Sequence, residues 1–158
     1  MLKNYVGGSW QDALATDSLA VMNPASGEEI ARVPLSTAAD MDAAVQAAKA
    51  AYPAWRDTPA PERARVLFRL KTLLEQHKEE LARLLVTEHG KVLADAHGEI
   101  ARGLEVVEFA CAAPHLLKGE YSESVSTGVD VYTLRQPLGV VGVISPFNFP
   151  AMVPLWFV

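Results

Sequence analysis

The sequence of 158 residues lacks several features that would indicate particular classes of protein. It contains one cysteine, Cys111, so no disulfide can form within the chain, and a reducing compartment is the expected setting. No stretch approaches the ~18 uncharged apolar residues of a membrane span, and the N-terminus "MLKNYVGGSWQD" has no apolar signal region. We therefore expect a soluble, cytoplasmic protein without a membrane partner.

An excess of basic residues is also absent. Lys and Arg number 14 against 19 Asp and Glu, a formal net charge of −5 that argues against nucleic acid as a partner. The four histidines share no ligand spacing with the cysteine or with a carboxylate cluster, so we expect no metal site. Neither of the glycine-rich phosphate-binding motifs, G-x-G-x-x-G after a strand and G-x-x-x-x-G-K-[ST], occurs. Half of the residues are hydrophobic, which is enough for a packed core.

The pattern along the first 119 residues predicts short strands followed by helices. Residues 4–35 are typical of strands and turns. The boundaries of the helical regions are indicated by a capping box of Thr37 and Asp40, by Pro53 as an end, by Pro61 in a first turn and by Gly90 as a C-terminal cap. The polar stretch "EQHKEE" makes the second region either two helices or one kinked helix. A third helix is predicted over about Ala94–His115, ending near Gly119.

Beyond residue 119 the pattern changes to that of strands. The segment "YSESVSTGVDVYTLRQP" alternates and contains Gly128, which predicts a two-stranded hairpin. The run "LGVVGVI", Leu138 to Ile144, is apolar on both faces and predicts a strand within a parallel sheet. Together with the helices, these elements favour an α/β fold.

The third predicted helix carries a charge in an unusual place. On a helical projection Arg102 falls in an apolar arc with Val106 and Phe109, where a guanidinium is costly unless it meets an anion. Either an internal salt bridge or a surface-reaching side chain explains it, or it binds a carboxylate or phosphate ligand. Cys111 lies on the main apolar face and is interpreted as a core thiol. We expect most of the scattered glutamates, at positions 79, 80, 88, 99, 105 and 108, on solvated helix faces.

The segment "SPFNFP", Ser145 to Pro150, follows the predicted parallel strand. Pro146 and Pro150 cannot continue a sheet ladder, so the chain must leave the strand at its C-terminal end, where open α/β sheets bind ligands. The Asn148 side chain offers an NH₂ donor that can stabilise a developing oxyanion. An asparagine that caps a helix or closes a turn is the equally weighted alternative.

These residues resemble the N-terminal part of an aldehyde dehydrogenase. The resemblance rests on "QPLGVVGVISPFNFPAMVPLW", with "GGSW", "NPASGEEIARV" and "PERARVLFRL" upstream, and it covers essentially the whole chain. It implies a Rossmann-like NAD-binding domain: strands and helices over 1–119, an oligomerisation hairpin over 120–136 with a strand near Val129–Leu134, and the first dinucleotide-binding strand with the start of a helix over 137–158. Phe147 in place of the usual Trp, with "RGLEVVEFA" around Arg102, is similar to the CoA-acylating methylmalonate- and malonate-semialdehyde dehydrogenases.

The resemblance also implies roles for individual residues. In that family a cysteine thiolate attacks the aldehyde, NAD accepts hydride, carbon dioxide is lost and the acyl group passes to coenzyme A. Asn148 then corresponds to the oxyanion donor, Arg102 to an arginine that grips the substrate carboxylate, and Ser145, Pro146 and Phe147 to NAD-contacting positions. The substrate carboxylate favours the ligand-binding interpretation of Arg102. The resemblance also implies that the full-length family members are homo-oligomers, expected to be tetramers.

The nucleophilic cysteine of the family has no counterpart in these 158 residues, and Cys111 does not match it. We therefore expect a fragment without the catalytic domain, inactive and of low stability alone. Two alternatives remain open: a fragment of a hydrolytic aldehyde dehydrogenase, and a non-catalytic fragment that acts only through subunit association.

Overall fold

The computed structural model describes all residues from Met1 to Val158. Two antiparallel hairpins begin the chain. The first pairs β1 (Asn4–Val6) with β2 (Ser9–Gln11), and the second pairs β3 (Ser18–Met22) with β4 (Glu29–Pro34). Between β1 and β2 both turn residues have positive φ, 59° and 82°, and both are glycine, the residue that adopts this conformation without a Cβ clash.

Helix α1 (Ala38–Asp57) begins at the predicted capping box. The Thr37 N–H donates to Asp40 Oδ2 at 2.7 Å, and the Asp40 N–H donates to Thr37 Oγ1 at 3.4 Å. A further donor, the Leu14 N–H, ties the N-terminal segment to the same carboxylate. The prediction that Pro53 ends this helix is wrong: α1 continues for one more turn, because only the single hydrogen bond from residue 53 is lost.

Helices α2 (Ala60–Gln76) and α3 (Lys78–His89) meet at His77, so the second helical region consists of two helices. Gly90 ends α3 with φ of 80°, which confirms it as the C-terminal cap. A Cβ at that position would also come within 2.8 Å of Pro24 Cγ, so the turn between β3 and β4 approaches the end of α3 closely.

The third predicted helix is divided. Helix α4 (Leu93–Ala110) has Cys111 as its C-terminal cap, and a single turn, α5 (Ala113–Leu116), follows. Pro114 lies in that turn and cannot donate a hydrogen bond back to Ala110, which explains the division. None of the helices in the chain combines the length and the apolar character required to cross a bilayer.

The core is small and lies between α3 and α4. Its centre consists of Ala82 and Leu85 of α3 with Ala96 and Ile100 of α4, and Ala151 packs against them. Only 11 of the 158 residues are buried. The segment that contains residue 151 is thus part of the same packed unit as the helices.

The second half of the chain contains the predicted hairpin but not the predicted parallel strand. β5 (Tyr121–Ser126) pairs with β6 (Val129–Tyr132), with Gly128 in the turn at φ of 72°. The run from Leu138 to Ile144 forms no strand ladder, and these two end residues are 98% and 100% exposed. A sheet strand needs a hydrogen-bonded neighbour, and no strand of this chain lies beside the run. A short helix, α6 (Met152–Leu155), closes the chain as expected.

Candidate active site

A cleft of about 800 Å³ lies between the end of α3, one face of α4 and the segment that leads into α6. Its lining includes polar and charged side chains from three separate parts of the sequence: His89, Lys91, Glu99, Arg102 and Asn148. The cleft therefore combines the two residues that the sequence singled out for different reasons, the arginine of α4 and the asparagine of "SPFNFP".

Asn148 occupies a turn formed by residues 147 and 148, immediately before α6. Asn148 is exposed and lines the cleft, and its side chain takes part in no hydrogen bond within the chain, so the carboxamide donors are free to meet a ligand. Its backbone is held, since its carbonyl accepts a hydrogen bond from Lys91 Nζ at 3.3 Å. The alternative of a capping or turn-closing amide has no supporting hydrogen bond.

Arg102 does not lie in a buried arc as the helical projection predicted. Its side chain is 71% exposed and pairs with Glu105 at 3.0 Å, one turn further along α4. Phe109, in the same predicted arc, is 65% exposed, because no element of this chain covers that face of α4. Arg102 nevertheless lines the cleft. An exposed ion pair of this kind contributes about 0–1 kcal/mol, so exchange of Glu105 for a ligand carboxylate costs little.

Ser145, Pro146 and Phe147 come directly before Asn148 in the chain, and all three are exposed. The Phe147 ring lies against His89, with ring centroids 5.7 Å apart, and is 60% exposed. One face of this aromatic ring is thus supported by protein while much of the ring is free. The Ser145 hydroxyl has no hydrogen-bond partner within the chain.

Glu99 is the residue at this site that the sequence interpretation missed. The sequence predicts solvated faces for most of the scattered glutamates, but the Glu99 side chain is fully buried and pairs with Lys91, which is itself 9% exposed. Glu99 Oε1 also accepts hydrogen bonds from the Ala151 N–H at 2.7 Å and the Met152 N–H at 3.0 Å. Burial raises the pKa of this carboxyl, but the hydrogen bonds from Lys91 and the two N–H groups outweigh it and lower the pKa below its ordinary value.

A signal for Glu99 was present in the sequence. On the projection that located Arg102, Glu99 falls about 100° from Ile100, between Gly103 and Val106. This position is inside the apolar arc and not on the face that carries Glu105 and Glu108.

Cys111 is a buried thiol, as expected. Its burial, with a smaller contribution from Glu108, raises the pKa of the thiol, which suits a packing residue rather than a nucleophile.

Comparison with known proteins places this architecture in a family. The aldehyde dehydrogenase family model matches residues 10–158, and the chain belongs to that family. Malonate-semialdehyde dehydrogenase 1 of Geobacillus kaustophilus is 55% identical over 156 residues, which is 99% of this chain and 32% of that protein. The malonate-semialdehyde dehydrogenase of Pseudomonas aeruginosa is 55% identical over 139 residues, 88% of this chain and 28% of that protein.

Solved structures give the same result. The methylmalonate-semialdehyde dehydrogenase of Oceanimonas doudoroffii superimposes with a TM-score of 0.93 at 49% identity, over 99% of this chain and 32% of that one. A candidate methylmalonate-semialdehyde dehydrogenase from Sinorhizobium meliloti 1021, solved with NAD, has a TM-score of 0.91 at 44% identity, over 96% of this chain and 31% of that one. The chain therefore has the fold of the N-terminal part of an aldehyde dehydrogenase and spans about a third of the length of the curated relatives that it matches.

Proposed function

We propose that this chain contributes the oxyanion donor and a substrate-carboxylate site to an NAD-dependent, CoA-acylating dehydrogenase of malonate or methylmalonate semialdehyde. The observation that carries the proposal is that Asn148, an uncharged hydrogen-bond donor, and Arg102, a cation, line the same cleft. A semialdehyde acid presents both complementary groups, a carbonyl oxygen and a carboxylate. The similarity to malonate-semialdehyde dehydrogenases supports the same substrate class.

Each of the two residues acts on a different end of the substrate. The Arg102 guanidinium binds the carboxylate, because its planar fork suits two carboxylate oxygens. The Asn148 NH₂ donates to the aldehyde oxygen as a nucleophile attacks the carbonyl carbon and that oxygen becomes an oxyanion. Donation to this oxygen is stronger in the transition state than in the ground state, so it accelerates the reaction rather than merely tightening binding. The nucleophile itself is not among these residues.

The three exposed residues directly before Asn148 offer side chains that suit contact with a dinucleotide. The Phe147 ring is supported by His89 and free elsewhere, and the Ser145 hydroxyl is an unused hydrogen-bonding group beside Pro146. These three residues would contact NAD, which supplies the hydride acceptor when bound. We propose coenzyme A as the acyl acceptor, on the basis of the family resemblance.

The test requires the rest of the fold. In a chimera, residues 1–158 replace the corresponding third of the Geobacillus kaustophilus relative, and NADH formation is followed with either semialdehyde, with and without coenzyme A. We expect turnover that depends on coenzyme A, and a fall in kcat of about 10²- to 10³-fold for Asn148→Ala. Turnover without coenzyme A, yielding the free acid, would support the hydrolytic alternative instead.

Arg102 has a matched control in this chain. Arg83 of α3 is equally exposed, at 70%, also pairs with a glutamate one helical turn away, Glu79, and does not line the cleft. Arg102→Gln should raise KM for a semialdehyde acid while leaving KM for propanal, which has no carboxylate, unchanged. Arg83→Gln should change neither value. An equal effect of Arg102→Gln on both substrates would contradict carboxylate binding.

A second function is favoured by the hairpin of β5 and β6. Every residue of both strands is exposed, including Tyr121, Val125, Val131 and Tyr132, an apolar surface typical of a protein contact. We propose that this hairpin associates subunits into a tetramer. Sedimentation of the chimera with Val131→Asp should then show smaller assemblies than the unmodified chimera, and an unchanged assembly would refute this role.

A further inference from the structure

The buried pair of Lys91 and Glu99 is not explained by core packing. A charge placed in a protein interior is costly unless it is paired and hydrogen-bonded, and apolar side chains of the same size would fill the space. Here both charged groups are nearly or fully buried, at 9% and 0% exposure. Apart from their mutual contact, the two charged groups make three hydrogen bonds, and each joins them to the backbone of residues 148–152.

The contacts define how that segment is held. Glu99 receives the N–H groups of residues 151 and 152, while Lys91 donates to the carbonyl of Asn148 and lies 4.9 Å from the centroid of the Phe149 ring. The polypeptide before this point has no strand ladder, and its nearest other tether is a 3.4 Å hydrogen bond from Tyr52 Oη to the Pro137 carbonyl. The polar attachment of Asn148 to the helices therefore passes through Lys91 and Glu99.

We infer that Lys91 and Glu99 are positioning residues that hold the Asn148 backbone so that its side-chain amide is directed at the substrate carbonyl oxygen. This inference rests on the proposed role of Asn148 as oxyanion donor. The pair does not touch the reacting atoms. It holds the backbone from which the amide projects, and a displacement of about 1 Å at such a donor costs about 10²-fold in rate.

The experiment uses the chimera and a double-mutant cycle. Lys91→Met keeps the length of the side chain and removes the donor to Asn148. Glu99→Gln keeps an acceptor for the two N–H groups but removes the charge that strengthens those hydrogen bonds and pairs with Lys91. Each should lower kcat by about 10- to 100-fold with KM for the aldehyde nearly unchanged. In the Asn148→Ala background, Lys91→Met should have little further effect, because no donor remains to be positioned.

A matched control separates positioning from general stability. Lys71 of α2 is also partly buried, at 25% exposure, and pairs with Glu75 at 2.7 Å without contacting the segment of residues 148–152. Lys71→Met should leave kcat unchanged. Hydrogen exchange of the peptide over residues 148–155 should accelerate in Glu99→Gln and not in Lys71→Met, which gives a readout independent of turnover.

The outcomes distinguish the two proposals. An unchanged kcat in Asn148→Ala would overturn the oxyanion-donor role itself. A large effect of Asn148→Ala with no effect of Lys91→Met or Glu99→Gln would overturn the positioning role alone. Equal losses from Lys91→Met in the presence and absence of the Asn148 side chain would show that the pair acts only through stability. If Lys91→Met does not fold, Glu99→Gln supplies the same cycle.

Discussion

The packing of α6 against α4 can be measured by comparing the same substitution, glycine to alanine, at two glycines of α4. Gly103 is buried beneath α6: a Cβ there would lie 2.8 Å from Leu155 Cδ1 and 3.3 Å from Met152 Cα. Gly98, five residues earlier in the same helix, is exposed and would place a Cβ in open space. Both glycines have ordinary helical backbone, so neither substitution introduces strain at φ.

The expected magnitudes follow from these distances. Alanine in a helix interior is favoured over glycine by about 0.5–1 kcal/mol, so Gly98→Ala should stabilise the chain by that amount. Gly103→Ala gains the same term but must displace α6 slightly, and overpacking of this kind costs about 1–3 kcal/mol. Leu155 can rotate away, whereas the Met152 backbone has to shift. The difference between the two variants should therefore be about 1–3 kcal/mol, with Gly103→Ala the less stable.

Urea unfolding of the chain, followed by its helical circular-dichroism signal, measures this difference, and thermal inactivation of the chimera provides a second assay. Subtraction of one variant from the other removes the helix propensity and the unfolded-state terms, which are shared. The remainder reports the approach of α6 to α4. Equal stabilities of Gly98→Ala and Gly103→Ala would refute that packing.

Three further predictions concern other parts of the chain. Burial is outweighed by hydrogen bonds from Lys91 and from the N–H groups of residues 151 and 152, which hold the pKa of Glu99 below its ordinary value. Its stabilising charge is therefore present above the unfolded-state pKa and lost as pH falls through the lower folded-state pKa, so thermal midpoints should drop more steeply on acidification than in Glu99→Gln. Gly119→Ala places a Cβ 2.0 Å from the Thr133 carbonyl oxygen, so it should lower the free energy of unfolding by about 1–3 kcal/mol. Amide exchange in β5 and β6 should then accelerate, and unchanged exchange would contradict the contact. The buried Cys111 thiol, with its raised pKa, should react with a thiol reagent much more slowly in buffer than in urea, and equal rates would contradict its burial.

Local chemistry made much of the fold predictable. The Thr37–Asp40 capping box, the positive-φ cap at Gly90 and the turn at Gly128 each depend on groups a few residues apart, and all three are confirmed. Pro53 shows the limit of such signals, because one missing hydrogen bond did not end α1. The aldehyde dehydrogenase family was also determined by the sequence alone, since the "SPFNFP" segment and its upstream companions have a specific order and spacing.

Burial depended on tertiary structure. Arg102 and Glu99 both project into the same apolar arc of α4, yet Arg102 is exposed and Glu99 is buried beneath the segment of residues 148–152. Which part of that arc is covered depends on the helices and segments that pack there, and these are distant in sequence. The same reason explains why Leu138 to Ile144 has the composition of a strand without forming one: a strand exists only when a neighbour accepts its hydrogen bonds. The sequence by itself determined the elements and the family, whereas tertiary packing decided which charges lie inside and how Asn148 is held.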